Sequence, residues 1–269
     1  MSIAEKLTTI AENEQKVYEA GYAKGAEEKS LINPEWTNWE YFFSGNSRLE
    51  LLEHIKYTDT SNGTNFEGMF HRCTQLTSVP TLDTSNGTNF RKFFYYCNKL
   101  TSVPALDTSK GTDFYQMFSD CTKLTSVPEL DTSNGTNFYC MFQYCHNLTS
   151  VPELDTSNGT NFYAMFGNCN NLVTIPKLNL SKATNTNPFG SGTTKLKNIT
   201  FEGTIGLSLD MRYCTLLTHD SLMSAINALY DYSTDTSGKT YTLTIGTENL
   251  AKLTDSEKAI ATQRGWSLA

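Results

Sequence analysis

Two residue types capable of chemistry, cysteine and aspartate, recur at a constant spacing along this chain. Both return every 24 residues, at Cys73, Cys97, Cys121, Cys145 and Cys169 and at Asp59, Asp83, Asp107, Asp131 and Asp155. Thiols held in register on neighbouring strands would lie about 4.8 Å apart, close enough to pair, bind a metal or simply pack. Because free cysteine is among the most buried residue types, we expect packing, with disulfides or a metal site as the alternatives.

The aspartates open the turn-forming sequence D-T-S-N-G. Carboxylates stacked at strand spacing would repel each other, so they require hydrogen bonds or a cation. Asp can accept hydrogen bonds from backbone amides two residues on, and Asn-Gly readily takes positive φ. The next position in the series is Asn179, which suggests that hydrogen bonding is what matters there. We expect turn capping, with calcium as the alternative, and we assign no metal ligand or cofactor.

No catalytic motif accompanies these two series of cysteines and aspartates. The histidines His54, His71, His146 and His219 occupy unrelated positions, and H-E-x-x-H, G-x-S-x-G and G-x-x-x-x-G-K-[ST] do not occur. The segment GSGTTK at 190–195 is too short for a phosphate loop and indicates a turn. The sequence therefore predicts a protein that is not an enzyme and has no catalytic residues.

Charge and composition narrow the classes of partner. The chain has 269 residues with 21 basic and 28 acidic side chains, a net charge of −7. Such an acidic chain lacks the basic footprint of a phosphate-backbone binder, so we expect no nucleic acid partner. It has no apolar stretch near the roughly 18 residues that span a bilayer, so we expect no membrane insertion. The N-terminal segment does not read as a classical signal peptide.

The elements that position these side chains follow from a repeated unit. Five copies of L-D-T-S-N-G-T-N-F-x-x-M-F-x-x-C-x-x-L-T-S-V-P-x occupy residues 59–178, at a period of 24 within the leucine-rich-repeat range of roughly 20–29. The L-T-S-V-P-x-L segment predicts a short strand, which its proline shortens or makes irregular. The spacing of Phe66, Met69, Phe70 and Cys73 predicts one apolar face of one or two helical turns.

One copy alone cannot bury its phenylalanines and leucines, whereas stacked copies can. The predicted fold is therefore an α/β solenoid. It is a leucine-rich-repeat-like right-handed superhelix with short parallel strands, terminal caps and an N-terminal helix.

The N-terminal region differs from the repeats. Residues 1–30 are charged and amphipathic, and we expect an attachment or oligomerisation helix, with a homotrimer as one outcome and a floppy leader as the alternative. Residues 31–58 are expected to form a cap built on a degenerate copy, in which Phe42 lies 24 residues before Phe66.

The C-terminal region predicts further elements. Residues 179–215 are expected to be degenerate repeats, ending in a strand over 204–213, with Cys214 outside the array. Residues 216–269 are expected to form an αβα cap. Its parts are a helix over 219–230, a strand over 240–246 and a helix with a T-x-x-E capping box over 254–265.

Variation between copies is concentrated at the two residues after the first Phe and at those flanking Cys. We expect these residues to project outward. Exposed Tyr with Arg and Asn is typical of paratopes and sugar-binding surfaces, and the alternative is a solvated face whose rings cover neighbouring copies. The predicted ligand-binding ridge consists of Arg91, Tyr95, Tyr96, Tyr115, Tyr139, Tyr144 and Tyr163. Cys140 occupies one of these positions and is expected to be exposed and reactive.

The unit resembles the BspA-like leucine-rich repeats, in particular the LDTSN-type branch found in bacterial surface proteins and in phage or prophage genes. The in-register Cys, Pro, D-T-S-N and M-F carry this resemblance over residues 59–178, and it extends weakly to about 35–215. One departure is the glycine of each D-T-S-N-G, where the resemblance leads us to expect Val and hence a looser packing contact. Residues 1–30 also resemble N-terminal leaders of phage tail-associated proteins of gut bacteria.

The resemblance implies a recognition or adhesion module that binds a cell-surface protein or glycan through the repeats. Its expected setting is a phage or prophage virion, assembled in the bacterial cytoplasm. The alternatives are a BspA-like adhesin on the bacterial surface or secreted, and a structural spacer without a ligand.

Overall fold

A computed structural model describes residues 37–45 and 59–269 of the chain. Within those residues, regular elements lie in the C-terminal part: strands β1 (Thr174–Asn179), β2 (Asn198–Glu202), β3 (Leu209–Asp210), β4 (Tyr241–Thr244) and β5 (Trp266–Leu268), and helices α1 (His219–Ala228), α2 (Thr247–Leu250) and α3 (Asp255–Gln263). Strands β1 and β2 form one parallel sheet, and β3, β4 and β5 form another in that order. The architecture therefore consists of small parallel sheets with few helices.

Consecutive repeats are joined by parallel backbone pairing. Isolated parallel bridges link the residue before the first Phe of each copy to its counterpart in the next, in the series Asn65, Asn89, Asp113, Asn137, Asn161 and Asn185. Around each bridge, alternate N–H groups donate to the following copy. The N–H of Phe66 donates to the Asn89 carbonyl (2.9 Å) and that of Phe70 to the Phe93 carbonyl (2.9 Å). Each copy therefore satisfies its backbone through its neighbour.

The segment from the first Phe to Cys is not helical, so that prediction is wrong. The N–H of Met69 donates to the carbonyl of Phe66 three residues earlier (3.2 Å), and that of Cys73 to Phe70 (3.1 Å). The alternate amides donate to the next copy instead. A one- or two-turn helix is marginal by itself, and overlapping turns allow the same residues to bond both locally and to a neighbour.

The predicted strand is formed in the fifth copy, where β1 contains Pro176. Its pairing with β2 brings Ile175 opposite Ile199, as the 24-residue spacing predicts, and the register shifts between Ile175 and Leu178. The irregularity expected from the proline is therefore confirmed. Among the described residues, the four earlier copies form no regular strand at this position.

Phenylalanine columns run through the buried interior at the repeat period. The rings of Phe90 and Phe114 stack with centroids 5.9 Å apart and planes within 3°, as do those of Phe118 and Phe142 at 5.6 Å. One buried hydrophobic cluster extends from Trp39 to Trp266. Stacking between copies is therefore what buries the apolar side chains, as the repeat pattern predicts.

The repeated glycines fit against these rings. A Cβ at Gly111 would lie 2.6 Å from Cζ of Phe114, and one at Gly159 would lie 2.2 Å from Cζ of Phe162. None of the five repeat glycines has positive φ, so the predicted conformational reason for Asn-Gly is wrong. The expected loosening is also wrong, because a phenylalanine ring occupies the space a valine would need.

The degenerate copy that precedes the five repeats is longer than expected. The hydroxyl of Thr64 bonds the carbonyl of Thr37, 27 residues earlier, and Phe43 stacks on Phe70 at 5.4 Å. Trp39 therefore takes the position of Phe66, and the predicted equivalence of Phe42 with Phe66 is wrong. The predicted helix over 1–30, the rest of the cap and His54 lie outside the described residues.

The C-terminal elements follow the predictions closely. Helix α1 is capped by Thr218, and α3 carries the predicted capping box between Thr254 and Glu257. Strand β4 lies within the segment predicted over 240–246. The strand predicted over 204–213 is reduced to the two residues of β3, while α2 and β5 were not predicted from the sequence.

Candidate functional site

The cysteine column is a column of buried hydrogen-bond donors. Each thiol donates to a phenylalanine carbonyl of the preceding copy at 2.9–3.1 Å, as Cys121 does to Phe94. At the next position of the series, the hydroxyl of Thr193 donates to Phe166 in the same way (2.6 Å). All seven cysteines are buried. The expected packing is confirmed, and the geometry adds a donor role that the sequence did not reveal.

Cys140 is buried, so the prediction that it is exposed and reactive is wrong. Only 2% of its surface is accessible, and burial raises the pKa of its thiol to about 11. Its short side chain does not reach beyond the adjacent turns, whereas the longer Lys92 and Gln116 at the same position are half-buried.

The aspartate column caps turns, as predicted. Each Oδ1 accepts from the backbone N–H of the serine two residues later, at 2.9–3.0 Å. Asn179 accepts from Ser181 in the same geometry (3.0 Å). The hydroxyl of Ser109, followed by its backbone N–H, holds the pKa of Asp107 below its usual value. An amide serves as well as a carboxylate, which is why Asn can replace Asp here.

The histidines within the described ranges lie in three separate environments. His71 stacks on Tyr95 at 5.2 Å, His146 contacts the carbonyl of Asn168, and His219 contacts Glu257 at 2.9 Å. The same residues contain no group of three His, Cys, Asp or Glu side chains placed to hold a metal ion. The structure thus does not bring these histidines together.

Four of the predicted ridge residues form one continuous stack. The guanidinium carbon of Arg91 lies 4.3 Å from the ring centroid of Tyr115. Tyr115 stacks on Tyr139 at 4.9 Å, and Tyr139 stacks on Tyr163 at 5.4 Å. The inner rings of this tyrosine stack are therefore covered on both faces, and they offer their edges and hydroxyls rather than flat surfaces. Tyr163, at the end of the stack, is 41% exposed.

The other three predicted residues lie in different columns. Tyr95 stacks on His71, while Tyr96 and Tyr144 are exposed in the position directly before Cys. The single predicted ridge is thus three adjacent columns along one face of the repeats, which we call the variable face. Ser119, one of the variable positions expected to project outward, is fully buried.

Sequence reasoning missed part of this face. Tyr213 and Leu216 are 46% and 48% exposed. The N–H of Cys214 donates to Met211 (2.9 Å) and that of Leu217 to Cys214 (3.3 Å), which repeats the turn around Cys73. The local turn of the cysteine column therefore recurs at Cys214, within the segment predicted to be degenerate repeats. The spacing C-x-x-L was the available signal, but it comes 21 residues after Thr193 instead of 24.

The variable face is built on left-handed backbone. The second residue after the first Phe and the residue before Cys have positive φ in every copy, at +49° to +62°. Ten of the residues with positive φ carry a side chain: Tyr41, Arg72, Lys92, Tyr96, Gln116, Asp120, Cys140, Tyr144, Ala164 and Asn168. This conformation costs a residue with a Cβ about 1–2 kcal/mol, and Gly68 shows that glycine fits it.

A polar cleft of about 300 Å³ lies elsewhere, beside β1 and β2. Its lysine, Lys177, pairs with Glu153 (2.7 Å) and Glu202 (3.3 Å). These ion pairs are internal to the cleft, and with Asp155 three carboxylates surround its one lysine, so the cleft carries a net negative charge.

Comparison with known proteins places the repeats in a family. No curated protein matches the chain. Within the described residues, no helix has the length and hydropathy to cross a membrane. The model of the family described as "Mycoplasma protein of unknown function, DUF285" matches residues 34–126 and, in an overlapping second match, residues 97–200. Because these matches cover more than half of the chain, the protein belongs to this family, a family of BspA-like repeats.

Proposed function

We propose that the protein is a non-enzymatic recognition or adhesion module whose variable face binds a cell-surface protein or glycan. The proposed architecture is a right-handed, leucine-rich-repeat-like solenoid with LDTSN-type units. The parallel bridges from Asn65 to Asn185 and the stacked phenylalanine columns support it. A solenoid displays equivalent side chains in straight columns, which suits an extended ligand.

The single observation that carries the proposal is the retention of large side chains on left-handed backbone. Tyr96 and Tyr144 have φ of +61° and are 41% and 38% exposed, so each keeps part of its ring and its hydroxyl at the surface despite the conformational cost. Strained residues of this kind cluster at binding sites, where the side chain is needed. Exposed tyrosine supplies a rigid ring and a polar hydroxyl at low entropic cost.

Two settings are proposed for this module. The resemblance of the repeats supports a phage or prophage tail, with residues 1–30 as the attachment or trimerisation segment. The family description names mycoplasma proteins, which favours the second candidate, an adhesin on a bacterial surface. Western blots of purified virions and of intact-cell surface fractions distinguish the two settings. Light scattering that shows a monomer at micromolar concentration would contradict the trimer.

The function is tested by binding of the fluorescent full-length protein to a panel of bacterial strains and epithelial cells. A variant with Tyr115, Tyr139 and Tyr163 changed to serine removes the tyrosine stack. Tyr230→Ser is the control for the single variant Tyr163→Ser, because Tyr230 is 50% exposed but lies outside the variable face. Circular dichroism melting verifies that each variant is folded.

We expect selective binding that is lost in the triple variant, reduced by Tyr163→Ser and unchanged by Tyr230→Ser. Binding confined to a few bacterial strains supports host recognition, and binding to epithelial cells supports the adhesin. Equal binding by the folded triple variant would refute the variable face as the contact surface, and no binding to any cell would favour a spacer.

A further inference from the structure

Positive charge on the variable face is concentrated in the first two copies. Arg91 is neutralised within the protein, because its guanidinium lies 3.0 Å from Asp113 and 3.7 Å from Glu67. Its remaining face covers the ring of Tyr115. Arg91 is therefore a structural part of the tyrosine stack and is not available to an external anion.

Arg72 and Lys92 differ from Arg91 in their ion pairing. Neither has a carboxylate within ion-pair distance among residues 37–45 and 59–269. The guanidinium of Arg72 lies 6.0 Å from the ring centroid of Tyr96, and Nζ of Lys92 lies 5.8 Å from that of Tyr115. Two cations without a carboxylate partner therefore lie on one face of a chain of net charge −7, where they would attract an external anion.

The backbones of Arg72 and Lys92 are both hydrogen-bonded to the backbone of Tyr95. The N–H of Arg72 donates to the Tyr95 carbonyl (2.7 Å), and the N–H of Tyr95 donates to the Lys92 carbonyl (3.0 Å). His71 stacks on the Tyr95 ring, and its pKa is lowered to about 4 by burial and then by Arg72 and Lys92. Both positive side chains therefore act on His71, and the carboxylate of Asp120 acts on the adjacent Tyr95.

The chemistry of the surrounding face indicates a glycan. The inner tyrosine rings are covered on both sides, so the face offers few flat apolar surfaces of the kind that form the core of protein interfaces. It presents the phenol hydroxyls of the tyrosine stack at the repeat spacing, together with single amides at Gln116, Gln143 and Asn168. Hydroxyl-rich polymers of repeating sugars complement such an array of donors and acceptors.

We propose that the variable face binds an acidic polysaccharide and that Arg72 and Lys92 bind an anionic group on its sugars. This inference rests on the proposed function and specifies its ligand. Arg72 supplies a planar fork of donors suited to carboxylate or phosphate, and Lys92 supplies a second, mobile charge. The exposed ring of Tyr96 lies beside Arg72 and provides a surface for the sugar that carries the anion.

The test measures binding of the full-length protein by isothermal titration calorimetry. The probes are oligomers of polygalacturonate, dextran phosphate and neutral dextran of matched length. The variants are Arg72→Gln, Lys92→Gln and their combination. Lys110→Gln is the control, because Lys110 is an exposed lysine that bonds Asn86 (2.7 Å) in the aspartate turn, away from the variable face.

We expect at least one acidic oligomer to bind at least 10-fold more tightly than dextran, with the preference reduced at high salt. The double variant should lose at least 10-fold in affinity, and Lys110→Gln should lose less than two-fold. Equal weakening by Lys110→Gln would show non-specific charge attraction and overturn the proposal. The same conclusion would follow if neither acidic oligomer bound better than dextran.

The cell-binding assay separates failure of this inference from failure of the proposed function. If the tyrosine triple variant loses cell binding while the double variant retains it, the variable face binds its target without an anion site. If both variants bind cells like the wild type, the proposed function itself fails.

Discussion

The hydroxyl of Ser221, on helix α1, accepts a hydrogen bond from the backbone N–H of Ile199 in strand β2 at 3.0 Å. One turn later, Ser224 accepts from the N–H of Phe201 at 2.8 Å. Ser221 also donates to the carbonyl of Lys197 (3.2 Å). The helix therefore pairs with the exposed edge of β2 through side chains where a further strand would use its backbone. This ends strand pairing and protects an edge that could otherwise recruit another chain.

Ser221→Ala is expected to lower the free energy of unfolding by about 1–3 kcal/mol, because it leaves the buried N–H of Ile199 without an acceptor. Urea denaturation monitored by circular dichroism measures this change. Ser102→Ala is the control, since Ser102 is exposed and should change stability by less than about 0.5 kcal/mol. Equal effects of the two substitutions would contradict the edge-capping role.

Gly111→Val tests why the repeats carry glycine where the resemblance suggested valine. The new Cβ would lie 2.6 Å from Phe114 and 2.9 Å from the carbonyl of Thr108. Overpacking of this kind costs about 1–3 kcal/mol, measured by urea denaturation. Gly206→Ala should be nearly neutral, because its nearest neighbour would be 3.4 Å away. A stable Gly111→Val protein would show that the phenylalanine ring can move aside.

Gln116→Gly tests the cost of the left-handed columns. Relief of about 1–2 kcal/mol of backbone strain exceeds the roughly 0.5–1 kcal/mol that glycine loses in chain entropy. We therefore expect stability to rise by up to about 1 kcal/mol. Gln116→Val should be destabilising, since a β-branched residue is poorly accommodated at its φ of +53°. Thermal melts of both variants and of the wild type show whether each substitution raises or lowers stability.

The seven buried cysteines are expected to resist alkylation by iodoacetamide in the native protein at pH 8 and to react fully in guanidinium. Burial raises the pKa of Cys140 to about 11 and that of Cys214 to about 12, so both remain protonated thiols at pH 8. Mass spectrometry counts the modified residues. Labelling of Cys140 in native protein at pH 8 would contradict its burial.

The raised thiol pKa values also predict how stability depends on pH. The unfolded chain loses thiol protons above a pKa of about 8.5, while the folded chain keeps them to higher pH. The unfolded state therefore binds fewer protons than the folded state above about pH 9, and the free energy of unfolding should fall as pH rises. Urea midpoints between pH 7 and pH 10 measure this slope. A Cys121→Thr variant keeps a hydrogen-bond donor, as Thr193 does. Its free energy of unfolding should fall less steeply with pH.

The sequence by itself determined the features that depend on local chemistry or on the repeat period. The aspartate turns, the capping box of Thr254 and the pairing of Ile175 with Ile199 were all predictable. Turn capping is decided by residues two or three positions apart, and identical copies must align at their period to bury their phenylalanines. The burial of the cysteine column followed from the same period.

The tertiary structure alone decided how the segment between Phe and Cys folds. Its apolar spacing fits a short helix, but its alternate amides donate to the next copy 23 residues away, as Phe70 does to Phe93. Those long-range bonds impose left-handed residues and direct Cys140 inward, and no local preference encodes either outcome. The 27-residue length of the degenerate copy before the repeats likewise depends on which copies come into contact. The same is true of the neighbours of Arg72 and Lys92.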